Sequence, residues 1–177
     1  MQPELKVKNL ENANNKNRYE ISKASVDGTV HVLVYRIDEQ GYGLFLSDLE
    51  RATRAVAITP IVDAPENIMG IINLQGRVVP VLNMRKKLGL SEREVEPSDH
   101  FIIARTGWRT VALAVDSVEG VVELLKADVV QSEEIAPGLE SVRGVVKIHD
   151  DLILIYDLDR FLFCEELEEL DAALGDD

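Results

Sequence analysis

The chain has 177 residues, is 46% hydrophobic and 29% charged, and carries a formal net charge of −13. That composition excludes global disorder, and a chain of this length buries roughly 70% of its unfolded surface without a disulfide or metal staple. No apolar run approaches the roughly 18 residues of a membrane span, no basic-then-apolar leader opens the chain, and the single cysteine, Cys164, has no internal partner. The expected location is therefore cytoplasmic.

Charge is unevenly spread. Residues 1–29 hold five basic and four acidic groups, residues 30–163 hold 14 and 21, and residues 164–177 hold seven acidic groups and no basic one. An acidic body repels phosphate backbones, so nucleic acid is not an expected partner.

In chain order, residues 1–29 are polar, Asn-rich and without period, and read as an N-terminal arm. Val30–Ile37 is a β-branched strand, Glu39-Gln40-Gly41 a turn and Tyr42–Ser47 a second strand. Asp48-Leu49-Glu50 reads as a short helical turn, Arg54–Ile58 as a strand, and Pro65–Ile68 as one helical turn with proline at its start. Ile71–Leu74 and Val78–Leu82 are strands around Gln75-Gly76; Met84–Leu88 is a brief helix that Gly89 stops in a left-handed conformation. Ser91–His100 is charged, contains Pro97 and reads as a linker. Phe101–Arg105, Thr110–Val115, Val121–Leu125, Val145–Ile148 and Leu152–Tyr156 are further strands. Cys164, Leu167, Leu170 and Leu174 recur at helical spacing with acids between them, which predicts an amphipathic C-terminal helix over 164–177.

Placing Gly70 on Gly144 superposes residues 70–88 on 144–162 without a gap: Val78-Val79 falls on Leu152-Ile153, Asn83 on Asp157 and Leu88 on Leu162. Gly41-Tyr42 matches Gly107-Trp108 more weakly, and Asp48 matches Asp116. The reading is all-β: a body over 30–163 made of two similar five-stranded units, about 30–90 and 100–163, packed together.

Catalytic constellations are missing from the pattern. His31, His100 and His149 lack ligand partners at metal-site spacing, no Gly-x-Ser-x-Gly elbow or phosphate loop occurs, and no cofactor is expected. Asp157 and Asp159 admit two readings, a divalent-cation pair or a helix cap. Trp108, in the turn Thr106-Gly107-Trp108, either anchors a partner or covers the end of its barrel.

The segment Gly70–Leu90, GIINLQGRVVPVLNMRKKLGL, resembles the CheW family of chemosensory adaptors. Tyr42-Gly43-Leu44 with Leu46 and Leu49 resembles the family's first-barrel motif, and Gly144–Leu162 its C-terminal one, so the likeness covers about 30–163. The same motifs occur in the regulatory domain of the CheA kinase, but this chain has no room for that kinase's catalytic domains. The resemblance implies two SH3-like five-stranded barrels and no enzymatic activity. It implies two partners, the regulatory domain of a CheA-type histidine kinase and the cytoplasmic hairpin tip of chemoreceptors, at membrane-associated arrays without insertion into the membrane. It also places the receptor side at Leu49, Arg51, Gln75 and Arg77. Three positions depart from the family pattern: Gln75 stands in the place of an arginine, Arg51 where a glutamate is frequent, and Asn83 in the place of an aspartate. Arg77 either restores the missing positive charge or is an ordinary turn arginine. The alternative function is a ligand- or metal-binding sensor that uses the cleft between the barrels, with Asp157 and Asp159 as ligands.

Overall fold

The computed structural model describes residues 28–139 and 141–162. The expected arm over 1–29, apart from its last two residues, and the expected C-terminal helix over 164–177 lie outside the described residues. Eleven strands and three one-turn helices are described: β1 Thr29–Ile37, β2 Gln40–Phe45, β3 Leu49–Arg54, β4 Ile68–Leu74, β5 Arg77–Asn83, α1 Met84–Lys87, β6 His100–Arg105, β7 Thr110–Val115, β8 Ser117–Leu125, β9 Val130–Gln131, α2 Ser132–Ile135, β10 Val142–Ile148, β11 Asp151–Tyr156 and α3 Leu158–Phe161. The all-β expectation is met.

The strands form two sheets, ordered β8-β1-β2-β11-β10-β9 and β3-β6-β7-β5-β4. The chain divides accordingly into two units, one holding β1, β2 and β8 to β11, the other β3 to β7 with α1 and α3. This corrects the division expected from chain order, about 30–90 and 100–163. The first hairpin of each half (β1-β2, β6-β7) pairs with strands of the other half. Strand β11 runs parallel to β2 with Ile155 opposite Gly43, and β5 runs parallel to β7 with Val81 opposite Ala112. Parallel neighbours cannot be joined by a tight turn, so the connection has to come from elsewhere in the chain.

The internal repeat survives this exchange. The hairpins β4-β5 and β10-β11 occupy matching places in the two sheets, each with a β-bulge just before the shared glycine and each followed in the chain by a one-turn helix, α1 or α3. The shared glycine lies where each sheet closes on itself. At Gly70, Thr59 exchanges hydrogen bonds of 2.8 and 2.9 Å with Ile71. At Gly144, β9 pairs with β10, Val130 opposite Val145. A Cβ on Gly70 would overlap the Thr59 carbonyl oxygen, and its φ of +145° disfavours any other residue; a Cβ on Gly144 would lie 2.6 Å from Val129 Cγ1. The matching helices are capped alike: Asn83 Oδ1 accepts from Lys86 N at 3.1 Å, and Asp157 Oδ1 from Arg160 N at 3.2 Å.

Each unit has its own core. Val32, Val34, Val122, Val146, Ile153 and Ile155 fill one; Ile72, Val79, Val81, Phe101, Ile103 and Ala112 fill the other. Leu33, Tyr35 and Ile37 are buried as well as Val32 and Val34, so β1 is covered on both faces in its middle, where Val32–Tyr35 runs without a charged residue.

Local expectations were corrected at three places. Residues 48–50 do not form the expected helical turn: a 3-10 turn covers Leu46–Asp48 and β3 begins at Leu49. The strand expected over Arg54–Ile58 is displaced upstream to Leu49–Arg54, because the alternation there is set by pairing with β6. Pro65–Ile68 is a turn closed by Ile68 N to Pro65 O at 2.9 Å, not a helical turn. The linker over 91–100 is strapped to its unit. Arg93 makes two hydrogen bonds to Asp99 (2.8 and 2.7 Å) and one to Asp116 (2.8 Å), Arg85 reaches Asp116 at 2.7 Å, and Val95 packs on the core.

Candidate functional site

The expected receptor-side residues belong to three strand ends that the pairing collects. The register Val81 to Ala112 aligns the starts of β5 and β7, which brings the β4-β5 and β6-β7 turns to one end of their sheet. The register Leu49 to Ala104 brings the start of β3 to the same end. Leu49 and Arg51 are half-buried there, while Gln75 and Arg77 are exposed.

Gln75 and Gly76 form a two-residue turn, both with positive φ (53° and 86°), and Gly76 N donates to Asn73 Oδ1 at 2.7 Å. That geometry is the type I′ hairpin, whose backbone twist matches the strands it joins. Gln75 therefore stands at the tip because the turn holds it there, although a non-glycine residue is disfavoured at that φ.

Glu50 was not among the expected residues, yet it organises this end. The β3-β6 register shifts between Leu49 and Arg51, so Glu50 is the extra residue of a bulge. Its carboxylate accepts a hydrogen bond from Arg77 and lies 3.7 Å from Arg105 Nε. The hydrogen bond from Arg77 and the nearby charges of Arg105 and Arg51 hold the Glu50 carboxyl below its ordinary pKa, against the opposing effect of burial. An acid–base pair thus exists at this end, made by Glu50 and Arg77 and not by positions 51 and 75. A bulge leaves no mark in hydrophobic periodicity, which is why the sequence pattern missed it.

The same end carries Trp108, 63% exposed, and Val78, 56% exposed. Of the two readings of Trp108, a cover for the barrel end does not describe a ring this open to solvent. Three guanidiniums, those of Arg51, Arg77 and Arg105, surround one carboxylate, and Arg109 follows in the turn beside Trp108. On a chain of net charge −13 this is a locally basic end.

The corresponding end of the other unit is acidic. Asp38 and Glu39 lie in one turn there and Asp150 in the other, and Arg36 bonds to Glu119, Asp151 and the Glu39 carbonyl. A cavity of about 110 Å³ lies beside them, lined by Val34, Ile148, His149 and Ile153 among others, below the several hundred cubic ångströms of a metabolite site.

Asp157 and Asp159 do not form a ligand pair. Asp157 caps α3, and Asp159 Oδ1 accepts from Gly107 N at 2.7 Å, so each aspartate is engaged with a backbone amide. No group of three or more metal-ligating side chains occurs among the described residues. His31 pairs with Glu123 at 3.0 Å, and His149 occupies the β10-β11 turn with φ of 55°. No helix among the described residues is long and apolar enough to cross a membrane.

Comparison with known proteins agrees with this architecture. A family model described as a CheW-like domain matches residues 31–164. A chemotaxis protein CheW from Thermotoga maritima is 31% identical over 131 residues, covering 74% of this chain and 86% of that protein. One from Rhizobium meliloti is 27% identical over 149 residues, covering 83% and 96%. The crystal structure of the scaffolding protein TtCheW from Thermoanaerobacter tengcongensis superposes with a TM-score of 0.68 at 28% identity, covering 75% of this chain and 91% of that one. With its two interleaved sheets and a family match spanning nearly all the described strands, the chain belongs to the CheW-like domain family.

Proposed function

We propose that this chain is a chemosensory adaptor that works by binding and not by catalysis. It couples the cytoplasmic hairpin tip of chemoreceptors to the regulatory domain of a CheA-type histidine kinase in the cytoplasm, at membrane-associated arrays. The observation that carries this reading is the family match over residues 31–164, which leaves only the two termini outside it. The surfaces support it chemically: matching ends of the two units carry opposite charge, so one small chain offers two docking faces that different partners distinguish. Holding two partners at once raises the effective concentration of each for the other, so neither contact has to be tight.

The receptor side is assigned to the basic end, with Leu49, Arg51, Gln75 and Arg77 in contact. Arg51→Glu and Gln75→Glu are expected to weaken binding to the receptor hairpin about tenfold, a loss of about 1.4 kcal/mol, while far-UV circular dichroism and kinase binding stay as in the parent. Unchanged affinity in a titration against the hairpin removes these positions from the site.

A further inference from the structure

We propose that the basic end of the β3-β7 unit docks the chain's own acidic tail, residues 164–177. The reasoning starts from the surface. Arg51, Arg77, Arg105 and Arg109 outnumber the carboxylates at this end, those of Asp48, Glu50 and Asp159, which leaves a local excess of positive charge. Arg105 is 69% exposed and Arg77 47% exposed at the side chain. The Nε of Arg51 is buried with no hydrogen-bond partner. Trp108 and Val78 add exposed apolar surface to the same end. A matching ligand therefore presents carboxylates together with aliphatic side chains.

The tail has that chemistry. It holds seven acids and no base, and Leu167, Leu170 and Leu174 recur at helical spacing among them. It also starts in the right place. Asp159 in α3 bonds to Gly107 N, the residue next to Trp108, and the tail begins five residues further along the chain. Fourteen residues reach roughly 20 Å as a helix and more when extended, enough to cover one end of a small barrel. Tethering at this distance gives the tail an effective concentration in the millimolar range, so a weak contact suffices to keep the site covered. The tail then competes with any acidic partner segment for the same arginines. The inference stands whether or not that partner is a receptor.

Trp108 is the only tryptophan in the chain, so its fluorescence reports on this end alone. The test is acrylamide quenching of the full-length protein at low salt and at about 0.5 M salt, where charge attraction is screened within a few ångströms. The same measurement is made on a tail variant combining Glu165→Gln, Glu166→Gln, Glu168→Gln and Glu169→Gln, and on Arg105→Glu. The expected result is partial protection of Trp108 at low salt. The quenching constant then rises about twofold with salt, with the neutralised tail and with Arg105→Glu. The tail substitutions lie outside the described residues, and circular dichroism checks that both variants remain folded. Equal quenching in all proteins and at both salts overturns the proposal. So does protection that grows with protein concentration, which assigns the cover to a second copy.

Discussion

Asp99 shows how one side chain decides a local structure. It is 5% exposed, the only buried acid among the described residues. Burial raises its pKa, but the two hydrogen bonds from Arg93 and one from Glu96 N (2.8 Å) outweigh that cost, and the carboxyl titrates below the ordinary range. The unfolded chain binds a proton at Asp99 near pH 3.9 and the native chain only lower, so the stability it contributes is complete above about pH 5 and is lost as the pH falls through the native value. Asp99→Ala is expected to cost about 2–4 kcal/mol at pH 7, since it leaves Arg93 without its main partner in a half-buried site. Urea unfolding at pH 7 and pH 3 measures this; the gap between parent and variant narrows at pH 3, and a gap independent of pH contradicts the pairing. Periodicity assigns residues 91–100 to a linker because they are held by a charge network and the single apolar anchor Val95, neither of which leaves a sequence period.

At the scale of elements, the repeat was the most legible feature. The offset from Gly70 to Gly144 identified two strands, their turn and the brief helix after them in both copies, and Gly89 does adopt the left-handed φ of 70° expected of a helix stop. Glycine recurs there for a physical reason, because each copy closes its sheet over that position. The two sites are not equally tight. Gly70 meets the Thr59 backbone and has positive φ, whereas Gly144 meets first a side-chain methyl of Val129. Gly70→Ala is therefore expected to destabilise by about 3 kcal/mol and Gly144→Ala by about 1–2 kcal/mol in denaturant titrations. The reverse order would place the tighter closure in the other unit. The bulge at Glu50 and the displaced strand β3 were illegible for a common reason: both are set by pairing with β6, far away in sequence.

For the whole molecule, fold class, repeat and family could be read from the sequence, and the exchange of hairpins could not. Two copies of a pattern suggest two units in chain order, and nothing in residues 30–90 says that their first hairpin pairs with β8 and β11. Neither half of the chain holds a complete sheet, so cutting the backbone between residues 91 and 98 is expected to leave two fragments that migrate together on native gel filtration and separate only in denaturant. Fragments that part without denaturant contradict the interleaving.

The central claim is that one chain holds a receptor and a kinase at the same time. The direct measurement is sedimentation of receptor-hairpin assemblies with the isolated kinase regulatory domain, with and without this protein. The account predicts that the regulatory domain pellets with the receptor only when the full-length chain is present, and that Arg51→Glu releases chain and kinase domain together. Recovery of the kinase domain in the pellet without this chain, or binding of the two partners that is mutually exclusive, would contradict it.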